Sequence, residues 1–156
     1  MTIDVSQAVM LADVFVGGQA TTKGSMESKG RGVMVDKPAT YRRMALVQER
    51  LEADMKIRTL TVGPGWYPYG ARVGVRMCTW MRYDAKTGDP RAWLLGDKSG
   101  DVDKQVRLVL DTFKKAGLIV DDGQVVSLEA HKRLALPGMM TGQQIQVWAI
   151  GEDAPW

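Results

Sequence analysis

Two pairs of aspartates lie on either side of one amphipathic segment of this 156-residue chain. Asp101 and Asp103 stand at its start, and Asp121 and Asp122 follow its end. Carboxylate oxygens are the ligands that Mg²⁺ prefers, and this ion completes its shell with water and substrate phosphate. Arg107 lies four residues after Asp103, so on a helix the two share a face, where a guanidinium can stabilise phosphate charge. These residue types point to phosphate chemistry at a hard cation.

Each acidic pair also has a purely structural interpretation. Aspartates at a helix start accept free backbone N–H groups and complement the helix dipole, so Asp101 and Asp103 are typical of a cap. Asp122 followed by Gly123 is a strong signal for a tight turn between two strands. Arg107 and Asp103 have the spacing of an ordinary salt bridge. Metal binding and structural capping therefore both stay open at this point.

The lengths of the segments predict where the carboxylates lie. A helix from Val102 to Ala116 is about 22 Å long at ~1.5 Å per residue. The extended return from Gly117 to Asp122 covers about 17 Å at ~3.3 Å per residue. We therefore expect Asp122 to lie nearly level with the helix start. Carboxylates that converge there would repel one another unless a cation lay between them, which predicts a Mg²⁺ site.

The rare residue types exclude other chemistry. The chain has one cysteine, Cys78, and one histidine, His131. A single cysteine cannot form an intrachain disulfide, and a structural zinc site needs several Cys or His ligands. No Gly-x-Ser-x-Gly motif accompanies His131, so we assign it no catalytic role. We expect no small-molecule cofactor.

The elements that position these residues follow from the hydrophobic periodicity. It predicts strands over 9–16, 33–35, 71–83, 118–120, 125–134 and 144–150, and helices over 38–58 and 101–117. A mobile basic loop is expected over 17–32, and a loop that displays Trp66, Tyr67 and Tyr69 over 63–70. Residues 92–95 fit a short strand or a packed loop. The element order predicts one α+β domain over 1–156, with two main helices on one mixed β-sheet.

Basic residues are concentrated in and just after the predicted loop. Lys23, Lys29 and Arg31 lie in it, and Arg42 and Arg43 lie at the start of the first helix. Such a stretch can follow a DNA backbone, although a solvated surface is the alternative because acidic residues are interleaved. The net charge of +3 permits a polyanionic partner without requiring one. Charge alone leaves both interpretations open, and the resemblance described below is what makes us expect these residues to contact DNA.

No apolar run approaches the roughly 20 residues that a membrane span needs. The first residues lack the basic segment and apolar stretch of a secretory signal. We therefore expect a cytoplasmic protein that does not contact a membrane.

Residues 100–126, GDVDKQVRLVLDTFKKAGLIVDDGQVV, contain an acidic pair, an Ala-Gly dipeptide and a second acidic pair in that order. This segment resembles the RusA family of Holliday junction resolvases, whose signature is Asp-Leu-Asp-Asn, Lys, Asp-Ala-Leu, Ala-Gly and Asp-Asp-x-Gln-Val. The resemblance implies a homodimeric, Mg²⁺-dependent endonuclease that nicks four-way DNA junctions in recombination and repair, in a phage or prophage setting. By position, Asp101, Asp103 and Asp122 match the family's metal-binding aspartates.

The segment departs from the family signature at two positions near the first acidic pair. Lys104 replaces the usual Asn, and we expect it to contact DNA. Arg107 replaces the catalytic Lys, and because arginine does not readily transfer a proton, we expect Arg107 to stabilise charge. The basic run before the first Asp is also replaced, by residues 96–100. The alternatives are a catalytically silent junction-binding protein of the same fold and a purely structural domain.

Overall fold

A four-stranded mixed β-sheet supports two helices on one of its faces. The computed structural model describes residues 8–20, 26–28, 34–36, 38–66, 70–82 and 100–150. In chain order the elements are β1 (Val9–Gly17), β2 (Met26–Ser28), β3 (Met34–Asp36), α1 (Pro38–Val62), β4 (Arg72–Arg82), α2 (Val102–Lys115), β5 (Val125–Ala135) and β6 (Gly142–Ile150). This arrangement confirms the predicted α+β fold class.

The sheet has the order β1-β6-β4-β5, and β2 and β3 form a separate antiparallel ribbon. Strand β6 is antiparallel to both of its neighbours, whereas β5 is parallel to β4. Two parallel strands need a crossover connection, and α2 lies in it. Because the chain reverses direction after α2, β5 returns along the helix, and Lys132 Nζ donates a hydrogen bond of 2.9 Å to the Gly100 carbonyl.

The sheet buries one face beneath the helices. On β4, Val73, Val75 and Met77 alternate inward and are 1% exposed, while Arg76 and Trp80 alternate to the opposite face. The strand predicted over 71–83 is therefore confirmed, and its opposite face, which carries Arg72, Arg76 and Arg82, is basic. The core combines these side chains with Val14, Val16, Ile145 and Val147 of the sheet and with Met44, Val47, Leu51, Val109 and Phe113 of the helices.

Helix α1 is longer than its sequence pattern predicts. It continues past residue 58 to Val62 and ends at Gly63, whose φ of 107° favours glycine. Beyond this turn, Trp66 Nε1 donates a hydrogen bond of 2.9 Å to Thr59 Oγ1, and the ring packs against the core. Trp66 therefore packs on its own domain. Residues 67–69, which include Tyr67 and Tyr69, lie outside the described residues, as do residues 92–95.

Two strand predictions differ from the structure. Residues 118–120 form no strand; Leu118 and Ile119 are instead buried in the core as irregular chain beyond the end of α2. The Asp-Gly step that follows is therefore not a hairpin turn. Asp121 caps a short 3-10 turn at Asp122–Gln124 that leads into β5. Within the loop predicted over 17–32, residues 26–28 pair with β3, a ribbon too short to produce a periodic signal.

A buried arginine connects α1 to the sheet. Arg43 is 5% exposed and donates hydrogen bonds to the carbonyls of Gly17 (2.7 Å) and Val16 (3.0 Å) and to Gln143 Oε1 (2.8 Å). Gln143 in turn donates to Thr79 Oγ1 on β4 at 3.2 Å. Burial lowers the pKa of the guanidinium from 12.5 to about 10. The expectation that Arg43 contacts DNA is corrected, because its guanidinium is occupied inside the fold.

The outer edge of β1 is covered by an ion pair from α1. The Asp13 N–H donates a hydrogen bond of 3.1 Å to Asp54 Oδ2, and Arg58 Nη1 donates to the Met10 carbonyl at 3.4 Å. Asp54 and Arg58 are themselves paired at 2.8 Å. These side chains occupy backbone groups that would otherwise be available to another strand. No described helix is long and apolar enough to span a membrane.

We predict that Arg43→Met destabilises the fold by about 3 kcal/mol or more, because it leaves several buried acceptors without a donor. Urea unfolding monitored by circular dichroism measures this change. The neighbouring exposed residue supplies the control, since Arg42→Ala should change stability by less than about 0.5 kcal/mol. Equal stability of the two variants would contradict a structural role for Arg43.

Candidate functional site

The N-terminal end of α2 presents two exposed carboxylates. Asp101 is the N-cap residue, and its carbonyl accepts the Gln105 N–H at 3.1 Å. Its side chain makes no capping hydrogen bond and instead accepts Lys104 Nζ at 2.7 Å. Asp103 lies in the first turn and is exposed. The interpretation of Asp101 as a side-chain cap is therefore wrong, and its carboxylate remains at the surface.

Packing of the opposite face fixes the position of these carboxylates. Val109 and Phe113 of α2 are at most 1% exposed in the core, so Asp103 and Arg107 project toward solvent. At the start of the helix, the bond from Lys132 to the Gly100 carbonyl ties the residue before Asp101 to β5. The site is thus supported by both the helix and the sheet.

Neighbouring cations keep Asp101 ionised. The hydrogen bond and charge of Lys104 lower the pKa of the Asp101 carboxyl, and the charge of Lys132 acts in the same direction. Since the folded-state pKa lies below the unfolded value, this interaction contributes fully above the usual pKa of aspartate. The contribution is lost as the pH falls through the lowered value. At neutral pH the site contains a carboxylate that already has a cationic partner.

Asp122 lies at the other end of α2. Its carboxylate accepts Lys114 Nζ at 3.1 Å, and Lys114 is in the last turn of the helix. The 14 residues of α2 separate the two ends by about 21 Å at ~1.5 Å per residue. Within one chain, the expected convergence of Asp122 with Asp101 and Asp103 is therefore wrong. In the described ranges, no group of three Asp, Glu, His or Cys residues is arranged to hold a metal ion.

The return path of the chain explains this separation. Gly117 adopts a φ of 75° and turns the chain directly at the helix end. Leu118 and Ile119 then enter the core, so residues 117–122 do not run back along α2. Strand β5 makes the return instead, and Lys132 is the residue that arrives level with the helix start. Sequence analysis assigned Lys132 no role, because only the parallel pairing of β5 places it there.

The other predicted site residues are distributed over the surface. Arg107 is exposed on α2, and in the described part of the chain the ion pair at this end of the helix joins Lys104 to Asp101. Arg42 is exposed on the first turns of α1. Lys23, Lys29 and Arg31 lie outside the described residues. Of the predicted set, the structure brings together Asp101, Asp103 and Lys104.

The sheet face opposite the helices contains a second polar group of side chains. Arg76 pairs with Glu129 at 3.0 Å, and His131 Nε2 lies 2.8 Å from the other oxygen of Glu129. Hydrogen bonds from His131 and Arg76 lower the pKa of the Glu129 carboxyl. Arg76 also lies over the ring of Trp148, with its guanidinium carbon 5.4 Å from the ring centroid. His131 therefore belongs to a cross-strand ionic cluster that sequence analysis did not assign.

A search against protein-family models and a search of curated proteins both give no match for this chain.

We predict that Lys104→Asn strengthens Mg²⁺ binding a few-fold. The Lys104 ammonium would compete with a metal ion for the Asp101 oxygen that it contacts at 2.7 Å, and asparagine removes that charge. Calorimetric titration of Mg²⁺ into the wild type and the variant measures the difference. Lys104→Arg keeps the charge and should bind Mg²⁺ as the wild type does. Unchanged affinity in Lys104→Asn would show that Asp101 is not a ligand.

Proposed function

We propose that this protein is a Mg²⁺-dependent endonuclease of the RusA type that nicks four-way DNA junctions as a homodimer. The observation that carries the proposal is the pair of exposed carboxylates at the start of α2, where the Asp101 side chain is not used as a cap. The resemblance over residues 100–126 supplies the substrate class and the dimer. The basic face of β4 and the exposed Arg42 offer positive charge to a DNA backbone.

The residues at this helix end have separate roles in the proposed reaction. Asp101 and Asp103 are a sufficient protein contribution for Mg²⁺, which binds through one or two carboxylates. When bound, the ion would supply an activated water and stabilise the leaving oxygen of the scissile phosphate. Arg107, one turn further along the exposed face, stabilises the developing phosphate charge. If a metal ion bound to Asp101, Lys104 would be released from it and could contact a DNA phosphate.

The location of Asp122 restricts its role in this proposal. Because about 21 Å of helix separates it from Asp101, it cannot share an ion with Asp101 of the same chain. If Asp122 is a ligand, it must come from the second subunit of the dimer. A homodimer would then contain two equivalent sites, each formed by the start of α2 from one chain and Asp122 from the other. Two such sites suit the paired nicks that resolve a junction.

One observation favours a second candidate function, a junction-binding protein without nuclease activity. The Lys104 ammonium lies 2.7 Å from Asp101 Oδ2 and already neutralises part of the site without a metal ion. A chain in which this ion pair persists on DNA would bind branched DNA through its basic residues and leave the phosphodiester intact. The same assays distinguish the two functions.

We predict that the wild type nicks a synthetic four-way junction in Mg²⁺ and that Asp103→Asn abolishes nicking while retaining junction binding. The substitution preserves side-chain volume but removes the charge of a ligand and reduces repulsion of phosphate. Nicking and gel-shift assays on the same junction, with linear duplex as control, test this. Retention of more than about a tenth of the wild-type rate, roughly 1.4 kcal/mol in barrier, would remove Asp103 from the metal site. Binding without nicking by the wild type would support the second function.

Mixed dimers test whether Asp122 acts across the subunit interface. Neither Asp103→Asn nor Asp122→Asn should nick alone. In a mixed dimer of the two variants, a shared-site arrangement leaves one site with both substitutions and one site fully intact. We therefore expect the mixture to recover nicking of one strand per junction. If all ligands came from one chain, both sites of the mixed dimer would be defective and no activity would return.

A further inference from the structure

Two aromatic rings lie on the outer face of the sheet, which is the face opposite the helices. Phe15 of β1 and Trp80 of β4 have ring centroids 6.5 Å apart. Gly142 of β6 is the register partner of Trp80, and a Cβ at Gly142 would lie only 2.6 Å from Phe15 Cζ. The absent side chain therefore lets the Phe15 ring lie across β6 toward Trp80. Phe15 is still 36% exposed and Trp80 is half-buried, so covering Gly142 does not bury the two rings.

The two rings form part of a small open cleft. Among the described residues, this aromatic cleft is lined by Phe15, Trp80, Met139, Met140 and Gln144, and its volume is about 290 Å³. The methionines come from the loop between β5 and β6 and are 46% and 69% exposed. Aromatic rings and thioethers both make favourable contacts with another flat ring. Because pockets for drug-sized ligands have volumes of roughly 300–1,000 Å³, the aromatic cleft suits one ring of a larger ligand.

Exposed arginines flank the aromatic cleft. Arg133 of β5 is the register partner of Trp80, and Arg82 follows Trp80 by two residues on the same face of β4. Both arginines are exposed. Burial raises the pKa of the Cys78 thiol and the charge of Arg133 lowers it, which is consistent with a guanidinium on the outer face near Cys78. An aromatic surface beside two cations matches an anionic chain that carries flat rings, which is the chemistry of a nucleic acid.

The charge of the outer face favours this occupant over an apolar segment of another protein. On the described strands, the charged side chains of this face are Arg72, Arg76, Arg82, Arg133, Asp13 and Glu129. Four arginines and two carboxylates give a net charge of +2. Glu129 is already paired with Arg76 at 3.0 Å. Phosphates would neutralise the remaining positive charge, whereas an uncharged apolar segment would not.

The aromatic cleft lies at the same end of the sheet as the candidate metal site. Lys132 and Arg133 are consecutive on β5, so their side chains alternate to opposite faces. Lys132 donates to the Gly100 carbonyl on the helix side, next to Asp101, whereas Arg133 lies beside Trp80 on the outer face. The two sites therefore occupy opposite faces of one end of the sheet.

We propose that the aromatic cleft binds an unpaired base of a single DNA strand, stacked on the exposed surfaces of Phe15 and Trp80. Arg82 and Arg133 contact the phosphates on either side of that base. Base stacking on aromatic side chains does not depend on sequence, because every base has a π-face. This inference rests on DNA as the partner in the proposed function, but not on Mg²⁺ or on cleavage.

Anisotropy of a labelled oligo-dT, titrated with the full chain in EDTA, tests the stacking. Trp80→Leu and Phe15→Leu each remove a ring but keep an apolar side chain, and each should weaken binding about ten-fold. Trp80→Phe keeps a ring and should lose less than about three-fold. Tyr41→Leu removes an exposed ring on α1 and, as the matched control, should bind like the wild type.

Thermal melts by circular dichroism verify that each variant is folded. A wild type that does not bind oligo-dT, unchanged affinity in both leucine variants, or an equal loss in Tyr41→Leu would overturn the proposal.

Tryptophan fluorescence reports the contact itself. A base stacked on Trp80 should quench its emission, so oligo-dT should quench the wild type more strongly than Trp80→Phe, although both bind. This comparison holds even if a leucine variant fails to fold. Equal quenching of the two proteins would show that the base lies elsewhere and would overturn the assignment of the aromatic cleft.

Salt dependence tests the phosphate contacts. Arg133→Gln should reduce the slope of log affinity against log salt concentration by about 0.7, the value for one phosphate contact on a single strand. Lys115→Gln removes an exposed charge at the end of α2 and should leave the slope unchanged. An unchanged slope in Arg133→Gln would contradict the phosphate contact.

The oligo-dT tests separate the aromatic cleft from the nuclease, because they contain neither Mg²⁺ nor a junction. A wild type that nicks junctions but binds oligo-dT no more tightly than Trp80→Leu would overturn this inference and leave the proposed function in place. The aromatic cleft would then fit an apolar segment of a partner protein instead. A protein that loses oligo-dT binding in Trp80→Leu but never nicks a junction would support the aromatic cleft and overturn the nuclease.

Discussion

The parallel pairing of β4 with β5 is the constraint on which the candidate site depends. Parallel neighbours cannot be joined by a tight turn, so the chain crosses over through α2 and returns along β5. The crossover places Asp101 and Asp122 at opposite ends of one helix, with Lys132 beside the first and Lys114 beside the second. The same pairing makes β5 the outermost strand of the described sheet. The separation of the two carboxylates thus has a topological cause.

The rest of the fold holds this crossover in place through buried polar groups as well as apolar packing. Arg43 has its described hydrogen bonds to carbonyl and amide oxygens, which satisfy its donors without an opposing charge inside the core. Through Gln143 and Thr79 the network extends from α1 across β1 and β6 to β4. A buried hydrogen-bond network favours the one arrangement of helix and strands in which all of its donors and acceptors are paired. The helix that supplies Arg43 also covers the β1 edge, where Asp54 accepts the Asp13 N–H.

Charge balance decides what the start of α2 can bind. A helix N-terminus with two carboxylates and two nearby lysines can accept a divalent cation, a phosphate or both in succession. The Lys104 ammonium contacts the Asp101 carboxylate, so a metal ion bound there would have to displace it. The RusA signature that residues 100–126 resemble has an uncharged residue at this position. The two proposed functions therefore differ at Asp101: a nuclease requires that Mg²⁺ replace Lys104 there, whereas a silent DNA-binding protein would keep the Lys104–Asp101 ion pair.

The sequence by itself determined the elements whose signals are local. Periodicity predicted both helices and the long strands, because alternation and helical spacing reflect burial directly. Capping preference and charge spacing identified Asp101, Asp103 and Arg107 as a group on one helix. Tertiary structure decided where Asp122 and Lys132 lie, since Leu118 and Ile119 enter the core instead of extending as a strand. It also moved Arg43 from the predicted surface to the interior, because its acceptors come from β1 and β6. Such contacts join residues far apart in the chain, and no local pattern records them.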